Sequence, residues 1–163
     1  MDYDIRKATV EDLSRIEQIY AFARSFMKEH GNPDQWADHY PPTEMLQEDI
    51  RRQLLFVLVT DGEIHGVFYF YIGEDPTYQY IENGTWRSDE RYGTIHRIAG
   101  DGKGGVLHAA VTYCKTQISH LRIDTHAANT VMQNAILKQG FSERGIVYME
   151  DGSSRIAYDL LIQ

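Results

Sequence analysis

The sequence predicts a single α/β (α+β) domain over residues 1–163, a mixed and mostly antiparallel sheet flanked by helices. Three observations carry that prediction. Apolar runs at Leu54 to Val59 and Ile64 to Ile72 flank Asp61-Gly62, the turn dipeptide of a tight hairpin. In the middle of the chain an extended segment, Tyr92 to Ala99, enters a glycine-rich turn and leaves it as a helix. A second hairpin closes the chain, Phe141 to Met149 and Arg155 to Ile162 joined through Asp151-Gly152.

The elements follow in order. Tyr3 to Thr9 is a short strand, and Thr9-Val-Glu-Asp12 has the form of a helix cap with an acid three positions on. Leu13, Ile16, Tyr20 and Ala23 then recur at helical spacing. His30 to Pro42 breaks the pattern and reads as a loop holding Trp36 and Tyr40, after which a short helix starts at Thr43 and turns Leu46 and Ile50 inward. Beyond the first hairpin, Tyr78 to Glu82 is expected to be extended, leading through Asn83-Gly84 towards Trp86. The helix after the glycines places Leu107, Val111 and Cys114 on one face. Leu121 to Thr125 is a strand, and Asn129 to Gln139 a helix with Met132, Ala135 and Ile136 inward, ended by Gly140 in the position of a left-handed cap.

Composition narrows the function. At 163 residues with 42% apolar content the chain can bury a full core with a cleft in it. A formal charge of −8 argues against nucleic acid or an anionic membrane as partner, since both select a basic face. Cys114 is the sole cysteine, so no internal disulfide forms, and its place on an apolar helix face marks it as core rather than nucleophile. No apolar run approaches the roughly 20 residues of a membrane span, and Met1-Asp-Tyr-Asp lacks the regions of a signal peptide. A cytoplasmic protein without a metal site is expected.

Chemistry concentrates at Ile95-His-Arg-Ile-Ala-Gly-Asp-Gly-Lys-Gly-Gly-Val-Leu107, where a strand passes through four glycines into a helix. Glycine lets backbone approach a bulky anion, and the free amides of the next helix point at the same place. This is the pattern of a phosphate cradle. Gly100 to Gly105 also matches G-x-G-x-x-G, with Asp124 near the separation of a ribose-binding acid, so an NAD-dependent oxidoreductase is the runner-up. Against it stand the antiparallel strands on both sides of the loop.

In element order, and in three segments, the chain resembles the GNAT N-acetyltransferases over nearly its whole length. The segments are the strand and glycine turn, Leu121-Arg-Ile-Asp-Thr-His-Ala-Ala-Asn129, and Lys138-Gln-Gly-Phe141. The resemblance implies direct acetyl transfer from acetyl coenzyme A to a primary amine of a small-molecule or peptide acceptor, with a homodimer left open. It implies that the amides of Gly104, Gly105, Val106, Leu107 and His108 hold the pyrophosphate, that Lys103 adds charge, and that the strand through Ile98 and Ala99 lines the pantetheine arm between two splayed strands. Asn129 and Asn134 would contact the cofactor, Asn129 while also capping its helix. His96 stands where many members carry a glutamate and is the first candidate base, with Glu82 as the alternative. The chain departs from the family at Gly102, where Arg or Gln is usual, at Leu107, and at Ile136, where a tyrosine often serves as acid. Tyr148, Tyr113 and His126 could replace it by type. These departures motivate a third reading, a cofactor-binding module of the same fold without turnover. Trp36, Tyr40, Tyr80, Glu82 and Trp86 are the expected wall of the acceptor site, suited to a cationic amine.

Overall fold

The computed structural model describes residues 2–162. The chain runs β1 (Asp4–Lys7), α1 (Leu13–Glu29), α2 (Thr43–Arg51), β2 (Leu55–Thr60), β3 (Glu63–Ile72), β4 (Gly93–Gly100), α3 (Val106–Lys115), β5 (His120–Thr125), α4 (Thr130–Lys138), β6 (Ser142–Tyr148) and β7 (Ser154–Leu161). One sheet holds all seven strands in the order β1-β2-β3-β4-β5-β7-β6. Five of its neighbouring pairs are antiparallel, and only β4 and β5 run parallel. A doubly wound parallel sheet is thereby excluded, and with it the dinucleotide-binding reading of the glycine turn.

Local chemistry explains the elements. Asp61 and Gly62 take left-handed φ values of +52° and +78°, the geometry that matches the twist of the β2–β3 hairpin. Asn129 caps α4 by accepting from the Met132 amide at 3.1 Å, and Gly140 (φ +94°) closes it. One expectation fails. Tyr78 to Glu82 is not a strand: Pro76–Tyr78 forms a 3₁₀ turn started by Asp75, whose Oδ1 accepts from the Thr77 amide at 2.9 Å. Proline at the first position and a capping carboxylate outweigh the β propensity of the tyrosines. Only Glu82 keeps a strand-like link, a two-way backbone bridge to Ile146 with both N···O distances at 2.8 Å.

The core has two faces. On one, α3 and α4 bring Ala110, Val111, Cys114 and Ile136 onto Phe56, Phe68, Phe70, Ile95, Leu121 and Ile123. On the other, α1 and α2 lay Ile16, Ile19, Tyr20, Leu46 and Ile50 over Leu55, Val57 and Val67. The half of that second face that the helices leave open is covered by residues 73–92, through Tyr78 and Tyr92 against Val147 and Ala157. Arg87 fastens this cover to the fully buried Asp159 of β7, with Nε at 2.7 Å and the backbone amide at 3.0 Å. Arg122 is clamped between the Trp86 and Tyr92 rings, 4.1 and 3.8 Å from their centroids. Among the described residues no helix is long and apolar enough to cross a membrane.

The cover meets β6 at Gly84 with no room to spare. A Cβ there would lie 1.8 Å from the Arg144 carbonyl oxygen, whereas one at Gly152 would meet nothing within 4 Å. Gly84→Ala is therefore expected to cost on the order of 3 kcal/mol in urea unfolding. Gly152→Ala, strained only by its φ of +84°, should cost about 1 kcal/mol. Equal losses would show that the cover is not tightly docked.

Candidate active site

The parallel pair β4–β5 lasts for two residue pairs, Gly93 with Leu121 and Thr94 with Arg122, and the strands then separate. A bulge in β4 accompanies the separation: the β3 register slips between Val67 and Tyr69, and Arg97 adopts a left-handed φ of +51°. The extra residue sends both His96 and Arg97 towards the α1–α2 face, where each packs on Tyr69. Arg97 is locked there by Asp49 of α2, with Nε at 3.1 Å and Nη2 at 2.8 Å, while the Tyr20 hydroxyl donates to the Arg97 carbonyl at 2.7 Å. Burial lifts the Asp49 carboxyl above its ordinary value even with Arg97 beside it.

His96 forms the floor of a cleft of about 660 Å³ where the strands part. Its Nε2 lies 2.7 Å from Asp75 Oδ2 and its Nδ1 lies 3.7 Å from Asp124 Oδ2. Asp75 is held on every side, since its Oδ1 takes the Thr77 amide and hydroxyl and its own N–H donates to the Tyr92 hydroxyl at 2.7 Å. Burial pushes the Asp75 carboxyl up, but the His96 hydrogen bond and charge together with the Thr77 donors prevail and hold it at about 2. Asp75 is thus a carboxylate at any working pH. It accepts from Nε2–H of His96 and leaves Nδ1 as the ring's acceptor nitrogen. Asp124 accepts from the Tyr78 hydroxyl at 2.6 Å; burial, then the Asp124 charge, raises that phenol well above its usual range.

The cleft walls come from the loop before α2 (Trp36, Tyr40), the cover (Asp75 to Thr77) and the β6–β7 hairpin (Glu150, Asp151). Of the expected acceptor wall, Trp36 and Tyr40 stand there. Tyr80, Glu82 and Trp86 do not: Trp86 donates from Nε1 to the Tyr78 carbonyl and sits under the cover, and Tyr80 is 62% exposed. Glu82 lies off the cleft, its carboxylate accepting from the Tyr80 and Tyr148 hydroxyls, which draw its pKa down. The side chains considered as acid are also placed elsewhere. Tyr148 is committed to Glu82, Tyr113 packs on Phe56 and Phe68, and His126 Nδ1 accepts from the Ala128 amide at 3.0 Å. Ile136 is fully buried, and burial alone raises the Cys114 thiol far from reactivity.

At the end of β4 the glycine turn takes positive φ at Gly102 (+91°), Gly104 (+93°) and Gly105 (+76°), and the first bond inward from the α3 terminus is Ala109 N–H to the Gly105 carbonyl at 3.0 Å. The amides of Val106, Leu107 and His108 precede the helical ladder and have no partner within it. The departure at Gly102 has a steric reason, because a Cβ there would lie 3.0 Å from Cζ of Phe22 in a φ that suits glycine. Val106 packs over Gly66 and Gly100, leaving Lys103 and His108 exposed. Ile98 lines the cleft, whereas Ala99 faces the α1–α2 core. Asn129 lines the cleft too, its Nδ2 donating to Gln35 Oε1 at 3.2 Å, and Asn134 is on the exposed side of α4, away from it. Thr125 borders the cleft with a buried hydroxyl that has no hydrogen-bond partner among the described residues. Open helix amides, an unpaired stretch of β4 and this orphan hydroxyl suit an extended ligand with an anionic end.

Asp75, Tyr78 and the Asp49–Arg97 pair escaped sequence reasoning. The one local signal was Asp75-Pro-Thr77, an N-cap pattern, and nothing in it shows that the second carboxylate oxygen reaches a histidine 21 residues on.

No family model matches the sequence, and no curated protein matches it. Solved structures do. A GNAT-family acetyltransferase from Streptococcus agalactiae superposes with a TM-score of 0.87 at 29% identity, covering 99% of this chain and 96% of that one. An N-acetyltransferase from Staphylococcus aureus gives 0.60 at 21% identity with both chains fully covered. An aminoglycoside acetyltransferase in complex with coenzyme A and kanamycin gives 0.64 at 19% identity over 98% of this chain and 95% of that one. With seven strands parted between β4 and β5, a glycine turn opening α3, and a full-length match to the streptococcal protein, this chain has the fold of the GNAT acetyltransferases.

Proposed function

We propose that the protein transfers the acetyl group of acetyl coenzyme A directly to a primary amine of a small-molecule acceptor, with His96 as general base. The observation that carries this reading is the His96–Asp75 pair at the floor of the cleft, Nε2 to Oδ2 at 2.7 Å, with Nδ1 left to accept a proton. The Val106, Leu107 and His108 amides suit the pyrophosphate, and the unpaired stretch of β4 through Ile98 suits the pantetheine arm, which supplies the acetyl thioester. An acceptor ammonium entering from the α1–α2 side gives its proton to Nδ1, and Asp75 stabilises the resulting imidazolium. The freed amine lone pair attacks the thioester carbonyl, the C–N bond forms, the C–S bond breaks, and the second proton leaves the nitrogen to water as the thiolate departs. Ile136 fills the helix position of the usual tyrosine, so we assign protonation of the departing thiolate to water. Asp34, Asp124, Glu150 and Asp151 beside Trp36 and Tyr40 favour a cationic acceptor, in keeping with the amine-rich antibiotic bound by one structural neighbour.

Coenzyme A should raise the melting temperature by mass action on the folded state, and NAD should not. Differential scanning fluorimetry with each decides, and a shift with NAD alone would sink the acetyltransferase reading.

His96→Ala should lower turnover by ~10²-fold or more at neutral pH with coenzyme A affinity nearly intact. The deficit should shrink as pH approaches the acceptor's own pKa, where the free amine needs no base. Asp75→Asn should lower turnover in the same direction by less, and because Asp75 acts through His96 its deficit should shrink over the same alkaline range; the parent carboxyl, which titrates at about 2, adds no pH dependence of its own above pH 5. Its lowered pKa also stabilises the fold above pH 4, a contribution lost as pH falls through about 2 and removed by the same substitution. Full activity of both variants at neutral pH would assign His96 a structural role.

A further inference from the structure

Three glycines with left-handed φ make a turn that does not hold its own shape, since such residues lose the most backbone freedom on ordering. A turn that grips a diphosphate binds best when that freedom is already gone. The brace is Asp101, the residue between Gly100 and Gly102. Its Oδ1 accepts from the Lys103 amide at 3.2 Å, closing the turn on itself. Its Oδ2 lies 2.7 Å from Nδ1 of His65, a buried side chain of β3, and accepts from Nη2 of Arg15 on α1 at 2.9 Å. Its own N–H donates to the His65 carbonyl at 3.0 Å, and Arg15 also donates from Nε to the Ile64 carbonyl at 3.0 Å. At the far end of the turn the Tyr3 hydroxyl donates to the Gly104 carbonyl at 2.6 Å. Helix α1, strand β3 and the N-terminal segment thus all fix one short stretch of glycine.

We infer that Asp101 is a positioning residue for coenzyme A: through His65 and Arg15 it sets the backbone of residues 102–105 in the form that receives the diphosphate. This rests on the acetyltransferase reading above. A carboxylate beside a diphosphate site is otherwise a liability, because like charges repel. Here Arg15 offsets its charge, and His65 takes its second lone pair. The two roles of the carboxylate therefore predict opposite signs. If Asp101 acted through its charge alone, removing it would tighten coenzyme A binding; as a brace, removing it weakens binding.

The test is calorimetric titration of the full chain with coenzyme A and with pantetheine, which lacks the diphosphate. Asp101→Ala should raise the Kd for coenzyme A by about tenfold and leave that for pantetheine within about twofold. Asp101→Asn, whose side-chain carbonyl can still accept from the Lys103 amide, should recover part of the loss. Should Asp101→Ala not fold, Arg15→Lys keeps the positive charge but loses the fork that bonds both Asp101 and the Ile64 carbonyl, and it should weaken coenzyme A binding about threefold, again with pantetheine unchanged. Unchanged or tighter coenzyme A binding in these variants, or an equal loss for both ligands, overturns the proposal while leaving the acetyltransferase reading standing. A parent protein that does not bind coenzyme A overturns that reading and this proposal with it.

Discussion

Everything distinctive about this molecule depends on a parallel ladder that stops after two residue pairs. Backbone groups along the inner edges of β4 and β5 must find partners elsewhere, and a bound chain is the natural one. The Asp49–Arg97 bond maintains that opening. It fixes a left-handed residue within β4, which twists the strand away from β5 and turns two successive side chains onto one face. Hydrophobic packing on both faces of the sheet holds the two strands in these positions.

Much of the fold was legible because it obeys short-range rules. Asp61-Gly62, the apolar spacing along α1, the Asn129 cap and the glycine turn each announce themselves within a few residues. Of the site, His96 and the walls Trp36 and Tyr40 could be proposed because the resemblance to the GNAT enzymes puts a base on that central strand and the acceptor against that loop. Asp75 could not, since its value to His96 comes from residues 73–92 folding back over the sheet, a path set by Arg87 and Asp159 far apart in sequence. Glu82 misled for the related reason that its segment looks like a strand aimed at the cleft. Pro76 instead turns the chain early, and the glutamate ends against β6. The separation of Tyr80 and Trp86 from the cleft has the same origin.

The glycine turn departs at Gly102 from the usual GNAT pattern, and the structure gives a reason for it. A Cβ at Gly102 would press on the tip of the Phe22 ring at a φ of +91° that suits glycine, and Asp101, His65 and Arg15 hold the turn from beneath. Arg15 and Phe22 sit two turns apart on α1, so the helix that lends Met27 to the cleft also touches the glycine turn.

The backbone bridge between Glu82 and Ile146 has a consequence beyond docking the cover. Strand β6 ends the sheet, and an unpaired terminal strand is a template for another chain. Glu82 already occupies the outward amide and carbonyl of Ile146, Gly84 lies hard against Arg144, and the charged side chains Glu143 and Arg144 flank the contact. The opposite edge, β1, is only four residues long. Both borders of the sheet are thus poor places for a foreign strand to add.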